Sequence, residues 1–291
     1  MFRRIKGADT MDNNGINTFS SEEAKKRKIT KLLLGLIIVL SFLIIIIVCI
    51  RFFNYYTEQN HTEEMVDTIY NVANIKEIVP PTTTSINSDI ANTTTITNIY
   101  SKYGNSKIYN INFNNLKEIN ADTVGWIKVE GTNINYPYVQ TNDNQYYLKH
   151  SFDKKYNKQG WVFLDYRNKG DEKNTILYAH GLMNNQMFGS MRKVIKPSWY
   201  NNKNNHIITT VTIDGTQKWQ VFSTYTIGPE SYYISVDFKT DEEYLKFLTT
   251  IKNRSVYDYN VNVNTDDKIL TLSSCYDNKK RMVLHAKLIS N

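Results

Sequence analysis

Cys275 ends a strand-like run, KILTLSSC (268–275), and after five intervening residues Arg281 opens a second, RMVLHAKLI (281–289). A thiol attacks as its thiolate. With an ordinary pKa near 8.5 it is only a few per cent ionised at neutral pH, and a nearby cation favours the anion. The five-residue connection, YDNKK, carries Asp277-Asn278 and suits a hairpin. If it closes symmetrically, Cys275 faces Arg281 with their Cβ atoms about 5 Å apart. Side-chain alternation then places Thr271, Ser273 and Cys275 on one face, opposite Arg281, Val283 and His285. Leu270, Leu272, Met282, Leu284 and Ala286 form the other, uniformly apolar face. Arginine keeps its proton, so Arg281 can hold a carbonyl or a developing oxyanion but cannot act as a base. An ordinary surface arginine at a strand start is the competing reading.

Thiol chemistry also needs a proton-transfer partner, and the chain has five histidines. His285 lies on the arginine strand, but four residues along it, roughly 13 Å from the thiol at about 3.3 Å per residue, which is beyond direct transfer. His61 falls in a polar helical stretch, and His150 and His206 in undistinguished polar contexts. His180 ends the apolar run NTILYAH (174–180) ahead of Gly181, a position at the rim of a sheet. From position alone, His180 is either the partner or a structural rim histidine.

These residues need a scaffold and a compartment. Residues 32–50 form 19 consecutive uncharged, mostly apolar residues, enough to cross a hydrocarbon core of roughly 30 Å as a helix. Before them stand eight basic and four acidic residues. After them only Arg51 is basic until Lys76. The asymmetry puts the N-terminus in the cytoplasm and the rest outside, and no small-residue cleavage site follows Ile50, which favours an uncleaved anchor. Of the 35 basic and 28 acidic residues, 26 and 24 lie beyond Arg51. The net charge of +7 is thus mainly a topology signal, without the footprint of a nucleic-acid binder. Cys49 sits inside the span as a small hydrophobe, leaving Cys275 as a lone extracellular thiol that has no internal disulfide partner.

The expected organisation is a cytoplasmic basic segment (1–31), a transmembrane anchor (32–50), a membrane-proximal helix and Thr/Asn-rich linker (51–109) and a catalytic domain (110–291). Within the third segment, Met65, Ile69, Val72 and Ile75 predict an amphipathic helix over 56–78, and 79–98 read as linker. Eight short strands are predicted at 124–129, 134–139, 160–165, 174–180, 206–213, 217–227, 268–275 and 281–289, the pattern of a mainly β, closed barrel or sandwich. Thr240 with Glu243 predicts a capped helix over 240–254, with Tyr244, Phe247, Leu248 and Ile251 on one face.

TLSSC at 271–275 followed by RMVLHAKL resembles the TLxTC-plus-arginine signature of sortases. Residues 174–191 (NTILYAHGLMNNQMFGSM) and 122–148 (DTVGWIKVEGTNINYPYVQTNDNQYYL) resemble segments of the class B sortases of Gram-positive cell surfaces, as does the helix before the cysteine strand. The resemblance covers about residues 110–290 and implies a closed eight-stranded sortase β-barrel with peripheral helices. It implies a catalytic Cys275, His180 and Arg281, substrate contacts at Asn144, Leu148 and Ser273, and no cofactor or metal. The implied partners are secreted proteins with a C-terminal sorting motif and an amine of a wall precursor or pilin-type surface protein. Ser274 departs from the usual threonine, and the short Cys-to-Arg interval leaves Asp277 a simple turn residue. An extracellular cysteine hydrolase with water as acceptor, and a non-catalytic surface module, are the alternatives.

Overall fold

Alternating Val, Ile, Tyr and Thr favour pleated, half-buried strands, and here they close on themselves. The computed structural model describes residues 13–78, 108–228, 230–275 and 280–290. The chain separates into two compact units, Met1–Thr57 and Glu58–Asn291. The predicted linker (79–98) and the loop residues Tyr276 and Asp277 lie outside the described residues.

Helix α1 (Asn13–Ala73) carries the apolar run, whose side chains are exposed from Leu32 to Ile50. Among the described residues one helix is long and apolar enough to cross a membrane, and it is this one. An apolar surface all round a helix suits lipid as solvent. In the second unit its final turns present Ile69 and Ala73 to the barrel core, with Met65, Val66 and Val72 packed alongside. The predicted helix over 56–78 is therefore the end of a longer one, and it stops earlier. Asn74 takes a left-handed φ of 44°, the usual end for a helix when asparagine follows it, and Lys76–Ile78 form strand β1, paired with β2 (Ile108–Asn110).

After a short helix α2 (Phe113–Ile119) come the barrel strands: β3 (Thr123–Val129), β4 (Asn135–Val139), β5 (Phe163–Leu164), β6 (Asn174–Ala179), β7 (Ile207–Thr212), β8 (Gly215–Ile227), β9 (Ile269–Cys275) and β10 (Arg281–Ser290). They close in the order β10-β8-β7-β3-β4-β5-β6-β9. All eight predicted barrel strands are present. Strand β5 is shorter than the predicted 160–165 because Gly160 turns the chain at φ +62° and Trp161 N donates to Tyr147 O instead of to a ladder.

Helix α4 (Asp241–Asn253), which follows the one-turn α3 (Pro197–Tyr200), is capped as expected: Thr240 Oγ1 accepts from Glu243 N at 3.1 Å. The Glu243 carboxylate reaches back one residue further, to Lys239 N. Its buried face (Tyr244, Phe247, Leu248, Ile251) and the Ser223 Oγ bond to Ile251 O hold α4 against β8. Both faces of β9 are buried from Ile269 to Ser274, not only the apolar one. Thr271 and His285 are fully covered, as are Leu270 and Leu284.

Candidate active site

The hairpin register is the predicted one. Arg281 pairs with Cys275, Met282 with Ser274 and Val283 with Ser273, through to Lys287 with Ile269. Arg281 is half-buried at the strand start, where its Nη1 donates to Lys280 O at 3.4 Å.

The second neighbour of β9 is β6, in parallel. Its pairs run from Asn174 with Ile269 to Ala179 with Ser274. The next residue on each strand is His180 and Cys275. Adjacent strands lie about 4.8 Å apart, so two strand ends deliver an imidazole-bearing and a thiol-bearing residue side by side.

His180 is fixed by the loop before β5. Asp143 Oδ1 lies ahead of the 3-10 turn Tyr146–Leu148 and accepts from Gln145 N (2.6 Å) and Tyr146 N (2.8 Å), and these bonds from Tyr146 and Gln145 hold its carboxyl below the usual range. The turn ends at Leu148, whose carbonyl lies 2.8 Å from His180 Nε2. A carbonyl only accepts, so Nε2 carries a proton and Nδ1 is the nitrogen whose protonation can change. Gly160 supports the same spot: a Cβ there would sit 2.5 Å from Tyr147 O and 3.1 Å from His180 Cδ2.

His285 is in a different situation. Thr271 Oγ1 lies 2.7 Å from Asn174 Oδ1, which can only accept, so the hydroxyl donates there and accepts from His285 Nδ1 at 2.8 Å. His285 Nε2 then accepts from Tyr225 OH at 2.9 Å. With both nitrogens committed, burial pushes its pKa down to about 3. It is a neutral structural histidine, as its distance along the strand predicted.

The other predicted positions fall in one region. Asn144 precedes the Tyr146–Leu148 turn and its Oδ1 accepts from Tyr166 N at 3.0 Å. Ser273 lies two residues before Cys275, buried, with its Oγ 3.0 Å from Tyr233 OH. Sequence reasoning missed the group that ties this region together. Tyr178, the strand partner of Ser273, donates to Asp165 Oδ2 at 2.9 Å. Arg167 binds both Asp165 oxygens, at 2.9 and 2.7 Å, and donates to Ile234 O at 2.9 Å. Burial works against the Asp165 charge, but Arg167 and Tyr178 outweigh it and hold the carboxyl below its usual range. An acid and a base two residues apart, straight after an apolar strand, are the signal that could have revealed it.

A closed barrel with a histidine just past one strand, a cysteine at the end of the parallel strand beside it and an arginine across the hairpin is the framework of a β-barrel cysteine acyl-transfer enzyme. A model of the sortase domain matches residues 127–289. Sortase B of Staphylococcus aureus is 40% identical over 183 residues, covering 61% of this chain and 74% of that protein. Sortase B of Listeria monocytogenes is 33% identical over 186 residues, covering 60% and 73%. Among solved structures, the Staphylococcus aureus sortase B–substrate complex aligns with a TM-score of 0.57 at 39% identity, over 61% of this chain and 84% of that one. Sortase B from B. anthracis in complex with AAEK1 aligns with a TM-score of 0.62 at 32% identity, over 82% and 100%. The chain belongs to the sortase family, on its class B branch. It is a cysteine transpeptidase that acts on sorting motifs.

Proposed function

We propose that Cys275, His180 and Arg281 carry the transpeptidation. The Cys275 thiolate attacks the scissile carbonyl carbon of a C-terminal sorting motif, and Arg281 holds the oxygen that gains charge. The C–N bond breaks as His180 Nδ1 gives its proton to the departing amine, leaving a thioester. An incoming amine loses a proton to His180, attacks the thioester and displaces the thiolate. Asn144, Leu148 and Ser273 line the path of the sorting peptide. The observation that carries this reading is the parallel β6–β9 pairing, which ends one residue short of His180 and of Cys275.

The amine belongs to a wall precursor or to another surface protein. The domain division is 1–31, 32–50, 51–109 and 110–291, with the N-terminus cytoplasmic and the barrel outside the cell, supported by the basic residues that precede the span. The test is incubation of the full chain with a labelled sorting peptide, with and without an amine acceptor, followed by mass spectrometry. A peptide thioester on Cys275 that transfers to the amine supports the assignment. Turnover that survives in His180→Ala or Cys275→Ala overturns it, and release to water that added amine does not divert would make the protein a hydrolase.

A further inference from the structure

We infer that the helix turn Glu58–Thr62 of α1 positions the His180 imidazole, acting through Asn157. This rests on His180 being the proton-transfer residue. Two loops meet at His180, and both are bound to that turn and the residue after it. The first loop leaves Leu148, the residue whose carbonyl holds His180 Nε2, and folds back on itself. Asn157 N donates to Lys149 O at 2.9 Å, and Gly160 N donates to Asn157 O at 3.0 Å. Asn157 thus grips the residue after Leu148 with its N–H, and with its carbonyl the glycine packed against the His180 ring.

The Asn157 side chain is 1% exposed and reads the helix. Its Nδ2 donates to Glu58 O at 3.0 Å and to Thr62 Oγ1 at 3.0 Å. Thr62 Oγ1 gives its own hydrogen to Glu58 O at 3.0 Å, so towards Asn157 it can only accept. Asn157 Oδ1 accepts from Gln159 N at 2.9 Å. Turning the amide over would set an oxygen against the Glu58 carbonyl, so one orientation is specified. Beside it, His61 Nε2 lies 3.1 Å from the Asp153 carboxylate of the same loop. The second loop follows His180 and returns through Phe188 N to His180 O at 3.0 Å. Its Gln186 Nε2 donates to Glu63 Oε1 at 3.3 Å, an oxygen that also accepts from Gln59.

One backbone hydrogen bond separates Asn157 from the residue next to Leu148. A shift of the loop off the helix therefore becomes a shift of the carbonyl that orients the imidazole. Displacements of about 1 Å in a reacting group can cost on the order of 100-fold in rate.

The test uses the full chain in membrane vesicles, a labelled sorting peptide and an amine acceptor. Thr62→Val removes one of the two helix acceptors of Asn157 in nearly the same volume, leaving Glu58 O, and Thr62→Ser restores it. Thr62→Val is expected to lower kcat by about 10-fold with little change in KM and to shift the pH profile of kcat/KM, with Thr62→Ser close to wild type. Asn157→Ala should act in the same way. Gln186→Ala, on the opposite loop, supplies a milder variant if either of these fails to fold. Unchanged kcat and pH profile in folded variants, or a loss confined to KM, would overturn the inference. His180→Ala is run alongside: if it keeps turnover, the site assignment itself fails, whereas a dead His180→Ala beside a normal Thr62→Val rejects only the positioning role.

Discussion

Ala179 and Ser274 are Cα partners in the parallel pair of β6 and β9. Parallel strands have evenly spaced, in-step pairing, so the residues that follow this pair, His180 just past β6 and Cys275 at the end of β9, come at the same end of the two strands. The barrel thus acts as a ruler that brings residues 95 positions apart in the chain to the same edge. The surrounding bonds make the arrangement testable residue by residue.

Gly160→Ala should damage catalysis and stability together. The position has φ +62° and no room for a Cβ beside Tyr147 O. The left-handed conformation alone costs about 1–2 kcal/mol for an alanine, and relief of the clash must move the turn that holds His180. Expected results are a lower urea midpoint and a kcat at least about 10-fold down. A variant with wild-type kcat would detach the Leu148 carbonyl from His180 function.

His285 should make the protein acid-sensitive without touching turnover. Its folded pKa, about 3, lies below the unfolded value near 6.5, so the unfolded chain binds the extra proton between them. Stability is complete above about pH 6.5 and falls with decreasing pH at up to about 1.4 kcal/mol per unit until about pH 3. Thermal melts from pH 7 to pH 4 should show this slope, and His285→Gln should flatten it while keeping transpeptidation at neutral pH.

Asp165→Asn should loosen the region proposed to bind the sorting peptide. It removes the charge that Arg167 and Tyr178 share and weakens the Arg167 link to Ile234. We expect a loss of about 2–3 kcal/mol in chemical denaturation and a KM for the sorting peptide that rises more than kcat falls. Because the Asp165 pKa is depressed, its contribution is present above the unfolded carboxylate value near 4 and disappears as pH falls through the folded one. The difference between wild type and variant should therefore shrink in acid.

Gln159→Met should be stabilising. Both Gln159 Nε2 and Oε1 are buried without a hydrogen-bond partner among the described residues. An apolar side chain of similar volume avoids that desolvation cost, worth about 1–3 kcal/mol. A urea midpoint below wild type would mean that the amide has a partner in solution.

Much of this was legible in the residues. Alternation located the eight strands, and the five-residue loop predicted that Arg281 would meet Cys275, because both are local properties of the chain. The pairing of β6 with β9 was not legible from pattern, since nothing within NTILYAH marks which distant strand it will join. Resemblance, not periodicity, pointed to His180. The Asp165–Arg167–Tyr178 group escaped because Asp165 and Arg167 read as a strand end and the turn after it until the barrel brings Tyr178 beside them. The early end of α1 escaped because helical spacing continues past Asn74, and only the left-handed backbone there breaks it.

Barrel closure also sets when the site comes into being. β9 is held between β6 and β10, and β10 between β9 and β8. Until the last of these strands docks, β8 and β9 both present open edges, which are templates for pairing with other chains. Pairings of such long sequence separation form slowly, on the order of milliseconds to seconds in β-barrels. A chain emerging from its N-terminal end therefore exposes its histidine first, then its thiol, then its arginine. Until the final strand seals the sheet the three proposed site residues are not brought together, so the proposed nucleophile meets its partners only in the finished fold.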